Sequence, residues 1–442
     1  MASPSRSTKR PRLSSPSPAT PPADGRDLLS SLPGEMLEEI LRRLKIGEAV
    51  CTSVLAKSWR PRWANCPGLA FAFDGLHPPA AVDSVLAAYA PRIGEFSLEI
   101  TEESYGKADG WIRAVAARGV RSLKLFFFWH RPGQEIAGVL PAPVFSCSEL
   151  TSLELEHCHM PPVPSDFRGF PHLLHLKLRE IHTRHPKTLE AIISMSPSLT
   201  TLCIAYLHIT SNNEDGSYDN WAIHAPNVKG FEIRSDEYSE AHGCSIDNLD
   251  SLEEAHVAFE GPRLVWMLSA MRRAQKLCID MQSDHVLLQH QPSKFLNLTS
   301  LRIWAKFDQS PRIVATTLHL LKSAPKMENL WITIIHEHDE DIEIDMEFTY
   351  TQWVGLFSRL KCVRLDYIQS HSNEMQFIEF LLLEARQLQK IEISVHELSS
   401  MSMEDVSDEL SKYGKASSQA ELIITHPQPT MQMLGGLMMS DV

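Results

Sequence analysis

Side chains able to hold a metal ion cluster at a few places in this 442-residue chain. His336-Glu337-His338-Asp339-Glu340-Asp341 sets imidazoles and carboxylates side by side, and alternate residues of such a loop could converge on an ion. A catalytic zinc needs a third fixed ligand and an open position, so a solvated acidic connection is the simpler reading. His157-Cys158-His159 puts a thiol between two imidazoles, but Cys158 falls where the local pattern wants a small buried residue. Asn212-Asn213-Glu214-Asp215-Gly216 gathers oxygen donors without the distal glutamate of a helix-loop-helix calcium site, and reads as a turn. No G-x-S-x-G, H-E-x-x-H or phosphate-cradling glycine loop is present. Asn297-Leu298-Thr299 matches a glycosylation acceptor, a pattern with meaning only on a secretory route. The expectation is a chain with no catalytic residues, no metal and no cofactor.

Composition narrows the class further. A formal charge of -13 argues against broad nucleic-acid binding, which depends on clustered Lys and Arg. The eight cysteines include no C-x-x-C, so neither a disulfide framework nor a zinc knuckle is indicated, and reduced thiols in an intracellular compartment are the simple reading. No apolar run approaches the ~18 residues of a membrane span, and the N-terminus lacks the apolar core of a signal peptide. Neither a membrane nor a nucleic acid is expected as partner. Residues 1–26 are rich in Ser, Pro and Arg and too poor in apolar groups to repay the entropy of ordering; they read as a disordered tail. Within it Lys9-Arg10-Pro11-Arg12 has the form of a short nuclear-import patch, with a merely solubilising tail as the alternative. The Ser-Pro pairs at 15–16 and 17–18 are candidate phosphorylation sites. Nucleus, cytoplasm or both are the compartments expected.

The elements that would carry any function announce themselves by repetition. From about residue 92 one phrase returns: apolar, two variable residues, apolar, one variable, apolar. It begins at Ile93…Phe96-Ser97-Leu98 and continues through Leu173…Leu176-Lys177-Leu178 and Leu298…Leu301-Arg302-Ile303 to Leu388…Ile391-Glu392-Ile393. The anchors lie roughly 27 residues apart, with intervals from about 22 to 33, the range of leucine-rich repeats. The alternating part of each phrase predicts a strand with its apolar side turned into a solenoid core. Connections such as Pro186–Met195 and Arg312–Ser323 read as amphipathic helices on the other side. Repeats of this kind stack only on their neighbours, so the body is expected to be a quasi-one-dimensional α/β solenoid.

Ahead of the array, Leu37, Ile40, Leu41 and Leu44 recur at helical spacing. Gly47 breaks that pattern; Ala49, Val50, Val54 and Leu55 read as a second short helix, and Trp59 with Trp63 as the start of a third. Three short helices in about forty residues bury little core by themselves, so such a unit leaves an apolar face for a partner. In order and spacing, Ser31-Leu32-Pro33, the Leu37-to-Leu44 ladder, Ala49-to-Leu55 and Lys57-Ser58-Trp59-Arg60…Trp63 resemble the F-box of plant F-box/leucine-rich-repeat proteins. Gly34, Ile46-Gly47 and Ser58 depart from the usual pattern without removing a core position. Further on, Leu360-to-Leu365, Asn373-Glu374…Phe377-to-Leu382 and Ala385-to-Ile391 resemble the FBD-type C-terminal domain of the same subclass, a strand, helix and strand closed by a strand over 420–425.

The expected organisation is therefore a tail over 1–26, an all-helical F-box over 27–67 and an irregular leucine-rich-repeat horseshoe over 92–346. An FBD-type cap over 347–425 and a frayed tail from 426 complete it. The resemblance implies a non-catalytic specificity subunit of an SCF-type cullin-RING ubiquitin ligase. Its F-box would dock on a Skp-type adaptor, and through it a cullin, by Leu32, Pro33, Leu37, Ile40, Leu41, Leu44, Val54 and Trp59. Its repeats would hold an unknown target protein. The variable positions within the strand phrases face outward, and there Arg302, Trp331 and Arg364 form a row with Trp304 beside it, residue types enriched at binding hot spots. Packing of the tryptophans beneath an outer loop or the acidic segment near residue 340 is the alternative for that row. A repeat scaffold without a ligase, or a sensor completed by a small ligand, are the rival functions.

Overall fold

A computed structural model of the protein describes residues 32–55, 57, 59–128, 138–210, 218–235, 242–247, 249–258, 263–281, 294–305, 311–335 and 353–426. The basic tail, the Asn212–Gly216 stretch, the acidic cluster at 336–341 and the residues from 427 onward lie outside the described residues.

The repeated phrases become rungs of one parallel, fifteen-stranded sheet that does not close into a barrel. Fourteen of its strands follow one another in chain order, from Ala70–Phe73 through Glu95–Ile100 and Ser122–Phe127 to Lys390–Val395 and Glu421–Thr425. The fifteenth, His208–Ile209, continues the rung beside His175–Thr183. A separate pair, Trp221–His224 with Cys244–Asp247, is also parallel. Register is constant from rung to rung: Leu277, Leu301, Leu330 and Val363 are direct partners, as are Ile279, Ile303, Ile332 and Leu365. These two apolar rows run the length of the ladder and are buried throughout their central part, Phe231, Leu301 and Ile303 completely. Beneath them pack the connecting helices, among them Glu102–Ala116, Lys187–Ser194, Pro311–Ser323 and Ser372–Glu384.

One recurrent irregularity shapes the rungs. His157, Glu180, Tyr206 and Tyr367 all adopt left-handed backbone angles, with φ of 58°, 48°, 55° and 67°. Each stands directly after the second outward position of its rung, and in the strands that continue past it pairing resumes beyond, at Cys158 with Ile181 and at Ile368 with Val395. A left-handed residue that is not glycine costs about 1–2 kcal/mol, so the conformation persists because the rungs on either side fix it; at Tyr367 it coincides with a register shift against the next strand.

The helical N-terminal unit differs in detail from the sequence expectation. Its first helix is Gly34–Arg42, with Pro33 just outside. Gly47 does not interrupt a helix; it lies in the first turn of the second, Ile46–Cys51, because the Glu48 carboxylate accepts from the Lys45 backbone N–H and fixes the start ahead of the glycine. A single 3-10 turn, Thr52–Val54, follows. Trp59 precedes the third helix, which is only Arg62–Asn65, since Pro61 holds the position before its first turn. The sheet also begins earlier than residue 92. Phe71 and Phe73 form a first rung against Phe96 and Leu98, and Tyr89 packs at 4.7 Å on Phe71 while donating from its hydroxyl to the Cys66 carbonyl at 2.8 Å. The buried apolar residues of the helical unit and of the ladder thus form one continuous cluster.

Phe231 sits in the middle of the inner row with no exposure. Phe231→Ala is expected to cost about 3–5 kcal/mol, read as a lowered urea midpoint by circular dichroism; a loss below about 1 kcal/mol would mean that the ladder does not depend on a continuous row.

Candidate functional site

The strand pleat that buries every second side chain turns the ones between them to the other face. Register therefore assembles a central outward row from successive repeats: Lys124, Glu154, Lys177, Cys203, Glu232, His256, Cys278, Arg302, Trp331, Arg364 and Glu392. A second row two residues on includes Arg234, Asp280, Trp304 and Asp366.

Most charges in the central row are neutralised within it. Glu154 is bridged by Lys177 at 2.5 Å and Lys124 at 3.1 Å, and hydrogen bonds from these two lysines hold its carboxyl below the usual carboxylate range in spite of burial, the largest opposing influence. Glu232 is almost wholly buried and accepts from Arg234 Nε at 2.6 Å, while its second oxygen has no hydrogen-bond partner. His256 lies beside it, with Nδ1 3.3 Å from the Arg234 guanidinium. Because an arginine can only donate, Nδ1 is the acceptor and the proton of the neutral ring sits on Nε2, which is buried without a partner. Burial first, then the cationic Arg234 and Arg302, push the His256 pKa down to about 3.

At the other end of the row, Arg302, Trp331 and Arg364 are direct neighbours on adjacent strands. The Arg302 guanidinium lies 3.6 Å from the centre of the Trp331 ring and 5.9 Å from that of Trp304, and Arg364 lies 4.5 Å from Trp331. Such cation–π contacts contribute about 0.5–2 kcal/mol, more as water is excluded. Asp366 fixes the arrangement from below. Its buried carboxylate accepts from Trp331 Nε1 at 2.5 Å, from Arg364 Nε at 3.0 Å and from the Ser394 hydroxyl at 3.1 Å. Trp304 is half-buried and 5.4 Å from the His256 ring. The four residues singled out from sequence thus meet on one stretch of the face. Glu232 and Asp366 stand at outward positions that the strand phrases already give, though nothing set them apart from the other charges there; His256 was missed, and its signal was the same register between repeats.

The residues expected on an adaptor face divide by burial. Leu37, Leu41 and Trp59 are buried in the chain's own core and Leu32 and Leu44 pack partly against it. Pro33 is exposed. Ile40 is 36% exposed and Val54 85%, and Met36 and Leu55, which the sequence reading did not single out, join them at 53% and 56%. Met36 and Ile40 stand one turn apart, a face adjacent to the packed Leu37–Leu41 stripe. Trp63 donates to the Ser53 hydroxyl at 3.1 Å, tying the third helix to the 3-10 turn that follows the second.

The remaining motif also resolves. Cys158 points into the core, where burial raises its thiol pKa, while His157 and His159 do not. His159, His182 and His208 instead form a ladder across three strands, His182 stacked on His208 at 4.3 Å and held neutral by burial with a pKa of about 4. Among the described residues no group of three or more His, Cys, Asp or Glu is placed to hold a metal ion. Among them also, no helix is long and apolar enough to cross a membrane.

A repeating parallel ladder backed by helices, with aliphatic and aromatic side chains at the inward positions, is the architecture of leucine-rich repeats. A family model described as the leucine-rich repeats of FBD-associated F-box protein At5g56370 matches residues 108–214. Along most of its length the chain is homologous to F-box/FBD/LRR-repeat proteins of Arabidopsis thaliana. It is 25% identical to F-box/FBD/LRR-repeat protein At1g13570 over 90% of this chain and 98% of that protein. It is 24% identical to F-box/FBD/LRR-repeat protein At2g26030 over 90% and 99% respectively, and to F-box/FBD/LRR-repeat protein At3g52680 over 70% and 71%.

Two measurements probe the outward face. Removing the Asp366 carboxylate leaves the Trp331 indole N–H without its acceptor and Arg364 with only the Glu392 carboxylate, at 3.7 Å, so Asp366→Ala is expected to destabilise by about 3 kcal/mol in urea unfolding, against under ~1 kcal/mol if these contacts are incidental. His256 is neutral in the folded chain down to pH about 3 but protonates from its ordinary 6.5 when unfolded. The unfolded state then binds the extra proton, and stability falls as pH is lowered through this interval by up to ~1.4 kcal/mol per pH unit. His256→Gln is expected to flatten that loss between pH 7 and 5, and an unchanged slope would show that His256 is not its source.

Proposed function

We propose that this protein is the substrate-recognition subunit of an SCF-type cullin-RING ubiquitin ligase. In this reading the helices over 34–65 are an F-box docking on a Skp-type adaptor, and the outward face of the ladder holds a target protein. The observation that carries the first half is the set of apolar side chains the helical unit leaves in solvent, Met36, Ile40, Val54 and Leu55, beside a core that is already closed. A small unit exposing that much apolar surface gains by covering it with a partner, and the resemblance of its motif and the names of its relatives favour an adaptor as that partner. The strands and helices over 362–425 are read as the FBD-type cap, extended beyond the expected strand-helix-strand by the helix Met403–Lys412. Support for the second half is the Arg302–Trp331–Arg364 row, a rigid, partly desolvated aromatic and cationic patch of the kind that anchors protein interfaces. The chemistry of ubiquitin transfer would belong to other subunits, and this chain's part is to position the target.

Co-purification with a co-expressed plant Skp-type adaptor tests the docking half. Wild type is expected to retain the adaptor, and Val54→Asp with Leu55→Asp to release it while circular dichroism stays unchanged, since both side chains are exposed. Leu41→Asp is a poor probe here because it would unfold the unit itself. A folded wild type that captures no adaptor would leave a repeat scaffold as the better reading.

A further inference from the structure

The outward row contains one charge that its neighbours do not answer. Lys124 and Lys177 share Glu154, Arg234 is held by Glu232, and Arg364 is held by Asp366 and, at 3.7 Å, by Glu392. Arg302 makes no ion pair and no hydrogen bond among the described residues; its contacts are the faces of Trp331 and Trp304. Its side chain is nevertheless half-buried. In a chain carrying a formal charge of -13, a partly desolvated cation without a counter-ion is a position that stabilises an incoming anion.

The geometry specifies more than charge. Stacking at 3.6 Å commits the face of the guanidinium to Trp331 and leaves its edge N–H donors for a ligand. Those donors form a fork that matches the two oxygens of a carboxylate. Trp331 cannot turn away, because Asp366 holds its indole N–H, and Arg364 cannot compete for the ligand as a bare charge, because the same Asp366 neutralises it. The guanidinium left for a ligand at this point is therefore that of Arg302, whose edge presents one fork to one carboxylate.

We infer that Arg302 is the anchor for an aspartate or glutamate side chain of an acidic segment of the target, laid along the outward face over Trp331. This rests on the reading of that face as a target-binding surface. Arg302 is the ligating residue, and Asp366 is a positioning residue that keeps Trp331 and Arg364 in place.

The test uses the full-length chain on synthetic arrays of random-sequence peptides in three matched sets: one containing Asp and Glu, one with Asn and Gln in their place, and one with phosphoserine. Wild type is expected to retain peptides of the acidic set over their amide counterparts by roughly tenfold in Kd, about 1.4 kcal/mol. Arg302→Gln is expected to abolish the difference, and Arg302→Glu to shift retention toward basic peptides, with folding verified by circular dichroism. Retention of the phosphoserine set alone overturns the carboxylate assignment. Equal retention of acidic and amide sets, lost in Trp331→Ala, overturns the role of Arg302 while leaving the face as a binding surface. Absence of retention of any set by wild type removes both.

Discussion

Each rung of this molecule carries apolar side chains that nothing but the next rung and its helix can cover. A lone rung has no core, and a missing one would expose two raw faces in place of one joint. That dependence explains why the same apolar rows stay in register from Ala70 to Thr425, with a shift past Leu365 that leaves them aligned. A slip by one residue between any two strands would carry Leu301 and Ile303 to the solvent face and Arg302 to the core. Burying an arginine without a partner there is prohibitive, so the chemical difference between odd and even positions locks the ladder. The outward rows are by-products of the same lock: residues far apart in the chain, such as Arg302, Trp331 and Arg364, become neighbours because their apolar flanks must align.

The two ends of the outward face use this alignment differently. Around Glu154 the lysines and the carboxylate satisfy one another, a surface that is settled by itself. From Glu232 to Arg364 the row is crowded with aromatic rings, a neutral histidine and buried polar atoms, and Asp366 is the fixed point beneath it. One carboxylate serving an indole, a guanidinium and a hydroxyl holds three side chains from three strands in a single arrangement, so the stretch is stiff before anything binds.

Much of this was legible in the sequence, and for a simple reason. The phrase with apolar residues at the first, fourth and sixth places is the burial pattern of a rung, and every such phrase from Ile93 to Ile393 lies at one. The helices Lys187–Ser194 and Pro311–Ser323 were legible by the same amphipathic logic. The first rung was not, because Ala70-Phe71-Ala72-Phe73 is flanked by a proline-rich stretch and lacks the leading anchor. Nor were the left-handed positions: nothing in His157, Glu180 or Tyr367 as residue types announces such a backbone, which neighbouring rungs impose. Among the site residues, Arg302 and Trp331 stood out by type, whereas Asp366 looked like one more surface acid; its three donors come from three strands and only folding brings them together. Leu37, Leu41 and Trp59 looked like contact residues because a short helical unit seemed to lack a core, but they belong to one buried cluster that continues through Phe71 and Tyr89 into the ladder.

That shared core has a mechanical consequence. The helical unit is not hung on the ladder by a tether; the hydroxyl of Tyr89 and the ring of Phe71 make the last turn of the one continuous with the first rung of the other. Whatever is seated on Val54 and whatever is seated on Trp331 are then held at a separation and angle fixed by the number of rungs between them. The molecule works as a gauge block, and its length is counted in repeats.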